Sequence, residues 1–209
     1  MLTYLPKHKN NENPKIYYAP VNEFALEEAK TKIIEVLDEA LETNIISREE
    51  YSEMNPEHKE PAKFDCNYKV HKANIENNIP PVRPIISGSG SLTENISICL
   101  DHHIKDLATN HDTYLQGTPH FLRVIDKVKK GPKLQTNAMI VTSDVGGAYL
   151  NIPHEDGSNC LHEALEERSD KIIPSSFLVK LMGLIQNYNI FEFYDGQLWK
   201  PWAYIQPHP

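Results

Sequence analysis

Between residues 22 and 43, apolar side chains return at Leu26, Ala29, Ile33, Leu37 and Ala40. That is the 3.6-residue spacing of one helix face, and it predicts a helix opening at Asn22. Ser47-Arg48-Glu49-Glu50 reads as a capping box that starts a second, short helix. Asn55-Pro56 ends it, because the residue before a proline is pushed out of the helical region. Residues 61–87 read as extended and loop-rich, punctuated by Pro61, Pro80, Pro81 and Pro84, and Gly88 to Ser91 reads as a flexible turn. Thr93 is the expected cap of the next helix, with Ile96, Cys99, Leu100, His103, Ile104 and Leu107 on one face. Thr118-Pro119 predicts an N-cap with proline at the first helical position, in a helix that runs to Lys130 and closes at Gly131.

The apolar run 138–141 reads as a buried strand leading to Asp144. Two more helices are expected, over about 157–168 and 175–188, the second with Leu178, Leu181, Met182 and Ile185 inside. Residues 190–194 alternate like a strand, and Asp195-Gly196 predicts a two-residue hairpin turn returning through 197–199. The result is an α+β chain, helix-rich with a short antiparallel sheet. Residues 1–21, polar and broken by prolines, read as a poorly ordered lead-in. The change of texture near residue 60 divides a helical N-terminal lead-in, 1–60, from the remainder, 61–209.

Composition adds limits. A 209-residue chain with 40% hydrophobic and 24% charged residues can bury a globular core. No apolar run reaches transmembrane length and the N-terminus lacks a signal peptide's apolar core, so an intracellular protein with no membrane partner is expected. Cys66, Cys99 and Cys160, scattered and odd in number, read as reduced thiols. The net charge of −8 weighs against strong non-specific nucleic-acid binding. It is unevenly spread, at −6 over residues 1–60, +3 over 61–133 and −5 over 134–209, so only the middle can face phosphates.

The candidate chemistry centres on Asp144. A carboxylate at the mouth of a buried strand suits Mg²⁺, a hard cation that leaves room for substrate phosphates. Tyr149, five residues on, can form the floor of a sugar pocket, and Asn151-Ile152-Pro153 follows. Taken singly, Asp144 reads as a cap or turn residue, Tyr149 as a core aromatic, and Arg83, Lys69 and Lys72 as solvated charges. His102-His103, His111, His154 and Cys160-Leu161-His162 lack the paired spacing of a zinc site. His154-Glu155-Asp156-Gly157 reads as a helix start whose acids complement the dipole.

Four segments in order carry more than any one of them. They are Lys69-Val70-His71-Lys72; Arg83-Pro84-Ile85-Ile86-Ser87-Gly88 on to Leu92-Thr93-Glu94-Asn95-Ile96; Asp144 on to Asn151-Ile152-Pro153-His154-Glu155-Asp156-Gly157; and Asn189-Ile190-Phe191-Glu192-Phe193. Their order and spacing resemble the reverse transcriptase domain of Penelope-like retroelements, over roughly residues 15–200. The resemblance implies the fingers and partial palm of an RNA-directed DNA polymerase over 61–209, working by two-metal nucleotidyl transfer with Mg²⁺ (or Mn²⁺) on an RNA template, a DNA primer and dNTPs. By the same resemblance Asp144 is the catalytic carboxylate holding both metals, and the Val145 carbonyl is a further metal ligand. Tyr149 is the steric gate against a ribose 2′-hydroxyl. Arg83 clamps the triphosphate, as a planar fork suits phosphate oxygens, with Lys69 and Lys72 beside it.

The sequence also departs from that pattern. Ser143 and Gly146-Gly147 stand where the family has leucine and bulkier residues, loosening the backbone beside the expected metal site. The family's second carboxylate motif, a Tyr-x-Asp-Asp hairpin, has no counterpart, since these residues contain no Asp-Asp pair. Read two nucleotides later, the codons of the 201–209 tail permit Met-Gly-Ile-His-Pro-Ala-Pro-Ser, close to a family segment that is otherwise missing. A slipped reading frame near Lys200 is therefore expected. Trp199 and Trp202 would then lack a packing surface, the 209 residues alone would be inactive as a polymerase, and the other reading is a non-catalytic nucleic-acid-binding or interaction module derived from such an element.

Overall fold

The computed structural model describes residues 18–68, 70, 82–132, 139, 141–143, 152–193 and 196–201. Among them are five strands, β1 (Tyr18–Pro20), β2 (Ala62–Tyr68), β3 (Val82–Ser87), β4 (Phe191–Glu192) and β5 (Leu198–Pro201). Six helices accompany these, α1 (Ala25–Glu42), α2 (Arg48–Met54), α3 (Glu94–Thr109), α4 (Thr118–Lys130), α5 (His154–Glu166) and α6 (Ser175–Asn187). The fold is α+β, as its patterning predicts.

The helical core assembles from the expected stripes. Ala29, Ile33, Leu37 and Ala40 of α1 are buried together with Ile96 and Leu100 of α3, Leu165 of α5, and Phe177, Leu178, Leu181 and Leu184 of α6. Met54 of α2 and Ile46 close the same cluster. The capping box is present in full. Glu50 N–H donates to Ser47 Oγ at 3.2 Å, and Ser47 N–H donates to the Glu50 carboxylate at 2.7 Å. Tyr51 Oη donates to Asp38 at 2.8 Å and ties α2 to α1.

The sheet order is β1-β5-β4-β2-β3. It is mixed rather than antiparallel, because β2 and β4 pair in parallel, Ala62 opposite Phe191 and Lys63 opposite Glu192. Parallel neighbours need a long crossover, and the chain between Tyr68 and Phe191, which carries β3 and helices α3 to α6, supplies it. Successive strand residues face opposite sides. Ile190 and Leu198 therefore turn to the helical core, while Phe191 and Trp199 turn away from it. On that second side Ala62 and Phe191 are buried against Phe64, Ile86, Phe193 and Trp199. The Phe64 and Phe193 rings lie 4.8 Å apart, and Phe193 and Trp199 6.5 Å. Trp199 thus has the packing surface it was expected to lack; Trp202 lies outside the described residues.

Other local expectations need correction. Strand β1 occupies part of the segment read as a poorly ordered lead-in, because Val21 N–H and the pairing of Tyr18 with Pro201 give its backbone partners on β5. Helix α1 begins at Ala25, not Asn22, whose carbonyl instead accepts a turn bond from Ala25 N–H. Thr93 makes no side-chain cap; it is buried, and its carbonyl accepts from Ser97. Gly117, at φ 148°, takes the N-cap place predicted for Thr118. Helix α5 opens at His154, where His154-Glu155-Asp156-Gly157 reads as a helix start with Glu155 and Asp156 in the first turn, and not at the position near 157 that the apolar pattern gives; Pro153 sets the extended entry. The β4–β5 turn is longer by one residue. Phe193 N–H donates to Gln197 O at 3.0 Å, which leaves three residues between, and Gly196 takes the left-handed φ of 79°.

The expected buried strand over 138–141 is not borne out where it is described. Met139 is 85% exposed and Val141 82%, and neither belongs to a strand. An apolar run is held as a strand by pairing partners, and β1 and β3, the sheet's two edges, do not pair with these residues.

Candidate functional site

Strands β2 and β3 form an antiparallel ribbon with Asn67 opposite Arg83, Asp65 opposite Ile85 and Lys63 opposite Ser87. The alternation that sends Phe64 and Ile86 to the aromatic cluster sends Lys63, Asp65, Asn67 and Arg83 to the other face. Arg83 is exposed and makes no ion pair with a described residue. Its guanidinium is open to an anion from solvent. Asp65 is partly committed locally, its Oδ1 accepting from Cys66 N–H at 2.7 Å.

The ribbon leads into α3 through a turn that is built rather than loose. Gly90 has a left-handed φ of 77°, a conformation glycine adopts without Cβ strain. Its N–H donates to Glu94 Oε2 at 2.9 Å, and Lys59 Nζ donates to the same oxygen at 3.0 Å. Ser91 N–H donates to Gly88 O at 3.0 Å. The Lys59 hydrogen bond and then the Gly90 N–H hold the Glu94 carboxyl below the ordinary glutamate range. Asn95, the next residue, donates its side-chain amide to the Glu53 carbonyl and joins α3 to the end of α2.

Between these elements lies an open cavity of about 730 Å³, its walls including Glu53, His58, Lys59, Lys63, Gly90 and Asn95. Lys63 belongs both to this cavity and to the Arg83 face of β2, so the cavity and the ribbon meet on one surface. A second groove of about 390 Å³, between α2 and α3, is lined by Glu50, Glu53, Met54, Ile98, Cys99 and the His102-His103 pair. Burial, then His102, then Arg168, lowers the His103 imidazole below its ordinary range.

Of the site residues that the family resemblance implies, Arg83 alone is among those described. Asp144, Val145, Tyr149, Lys69 and Lys72 lie outside them. Among the described residues, no group of three or more His, Cys, Asp or Glu side chains is arranged to hold a metal ion. No helix among them is long and apolar enough to cross a membrane. Lys59 and Lys63 were missed by the sequence reading. Their signal was two cations flanking Pro61 at the entry to an alternating strand, and only the fold brings Lys59 to Glu94, 35 residues away. No protein-family model matches the chain, and neither a curated protein nor a solved structure does.

Proposed function

We propose that this chain carries the fingers and part of the palm of a Penelope-like retroelement reverse transcriptase, and that the 209-residue polypeptide by itself does not polymerise. The observation that supports the reading is Arg83, exposed on the β2–β3 ribbon just ahead of the Gly88–Ser91 turn and α3. A planar cation on an exposed ribbon can form paired hydrogen bonds to the phosphate oxygens of an incoming dNTP. Lys69 and Lys72, between the two strands in sequence, would add charge there. Asp144, the Val145 carbonyl and Tyr149 take their metal and sugar roles from the resemblance alone. Bound Mg²⁺ would supply charge neutralisation at the phosphates.

Inactivity follows from charge. Two divalent ions close together need more than one carboxylate to balance them, and these residues offer no Asp-Asp pair to share the load with Asp144. Primer extension with an RNA template, dNTPs and Mg²⁺ should yield no product. Incorporation that disappears in Asp144→Ala would overturn this part of the proposal. The family reading has its own test in the nucleotide sequence after the Trp199 codon. A shifted frame running into Ala-Pro-Ser and then Tyr-x-Asp-Asp is expected; its absence would turn the reading to a nucleic-acid-binding module. That module would bind RNA or DNA in a salt-sensitive way, weakened by joint Arg83→Ala, Lys69→Ala and Lys72→Ala substitution.

A further inference from the structure

Helix α4 buries none of its residues. Yet its apolar side chains are not scattered. Phe121, Ile125 and Val128 recur at i, i+4 and i+7 on one face, flanked by Leu122 and Val124. Leu122 is 59% exposed, and Phe121 and Val128 are exposed as well. Arg123, Lys127, Lys129 and Lys130 stand around this stripe with a single acid, Asp126, which Lys130 pairs at 2.6 Å. The helix is therefore an apolar stripe framed by a net charge of +3.

The same molecule holds the opposite feature. The α2–α3 groove has an apolar floor of Met54, Ile98 and Cys99, and Ile98 is 62% exposed. Its acidic side is Glu50 and Glu53. Glu50 is held in the capping box, so its charge is fixed in place at the groove wall. Glu53 makes no ion pair with a described residue. An amphipathic helix laid into an apolar groove is a recurrent recognition mode, and here the charge signs of helix and groove are complementary.

We propose that α4 of one copy docks into the α2–α3 groove of a second copy, and that the exchange is reciprocal, forming a two-fold dimer. Reciprocity follows from size. One 13-residue helix in one groove covers less than the ~1,200 Å² that specific pairs bury, and two-fold symmetry doubles the contact without requiring a new surface. Nucleic acid would use the cations of α4 but leave its stripe exposed, whereas the groove uses both.

The test is sedimentation equilibrium of the full chain across the micromolar range at low and high salt. A monomer–dimer equilibrium that weakens with salt is expected. Ile125→Asp on the helix, where the side chain is half-buried, and Ile98→Asp in the groove, where it is exposed, should each weaken dimerisation at least about tenfold. The decisive sample is their mixture. An equimolar mixture restores one intact helix-in-groove contact, between the unmutated Ile125 of one variant and the unmutated Ile98 of the other, so it should associate more tightly than either variant alone and more weakly than the parent chain. Far-ultraviolet circular dichroism matching the parent chain identifies folded variants, and Lys127→Glu, which leaves both apolar surfaces intact, gives the same weakening if either aspartate variant fails to fold. A chain that stays monomeric, a dimer indifferent to these substitutions, or a mixture no more associated than either variant alone would each overturn the proposal. So would a monomer whose α4 variants instead lose binding to phosphatidylserine vesicles, which would assign the stripe to a lipid surface.

Discussion

Lys59 and Glu94 meet at 3.0 Å across the junction of the β2 approach and the first turn of α3. The carboxylate oxygen that accepts from Lys59 also accepts from Gly90 N–H, so one side chain fixes a turn, a helix start and a neighbouring segment. The folded Glu94 carboxyl lies below its ordinary value of 4.5, chiefly through Lys59. The unfolded chain therefore takes up a proton first on acidification. The contribution of Glu94 is present above about that value and is lost as pH falls toward the lower folded one. Glu94→Gln should lower the melting temperature at pH 7 and flatten this part of the stability profile. Thermal melts of both chains between pH 3 and pH 7 read the effect.

Glu166 gives a second acid-sensitive window. Its carboxyl is drawn down to about 2, first by the Lys171 hydrogen bond and then by Ser175, with Lys171 Nζ at 2.8 Å. The stability it contributes is full above pH 4.5 and is lost progressively as pH falls from there toward about 2. Lys171→Met should return the Glu166 titration toward the usual carboxylate range, observable by following its side-chain carboxyl carbon by NMR.

Arg168 braces the connection between α5 and α6. Its Nε donates to Leu165 O at 3.2 Å and its Nη2 to Ile173 O at 2.9 Å. Leu165 and Ile173 are both buried. Arg168→Met would keep much of the stem while removing the side-chain donor to the Ile173 carbonyl; Leu165 O would keep the backbone N–H of residue 168. A loss of about 2 kcal/mol in urea unfolding is expected from hydrogen bonds to a charged group.

Leu178→Ala should cost about 2–5 kcal/mol, because Leu178 is fully buried where α6 meets the helical core. Phe191→Ala should cost about 3–5 kcal/mol by removing the ring between Ala62 and the aromatic cluster. The two can be separated by probe. Tryptophan fluorescence should respond to the Phe191 substitution through Trp199 in the native state, while the Leu178 substitution leaves the native spectrum close to the parent's.

The stripe of α1 was legible because Ala29, Ile33, Leu37 and Ala40 obey a period set by the helix itself. Ser47 and Glu50 were legible for the same reason, since a capping box lies within one turn of chain. The pairing of Ala62 with Phe191 was not, because a parallel contact leaves no mark at either position beyond apolarity. Trp199 was misjudged likewise: its neighbours, Phe191 and Phe193, are close in sequence, but their shared face depended on the register of the turn. Arg83 could be picked out from sequence and its exposure on a ribbon follows from alternation. Lys59 could not, because its partner is brought to it by the fold. The run containing Met139 and Val141 shows the opposite failure: apolarity predicts burial only where a surface exists to receive it.

The pairing of Tyr18 with Pro201 has a consequence for how the chain comes off the ribosome. Strand β1 is made well before β5, its sheet neighbour among the described residues. At ~5–20 residues per second the interval is on the order of tens of seconds. During that time the nascent chain can close α1 and α2, yet its sheet lacks β4 and β5, and Phe64 lacks the rings of Phe191 and Phe193. The sheet therefore closes only after β5 has emerged, and until then Ala62 and Phe64 wait for their partners.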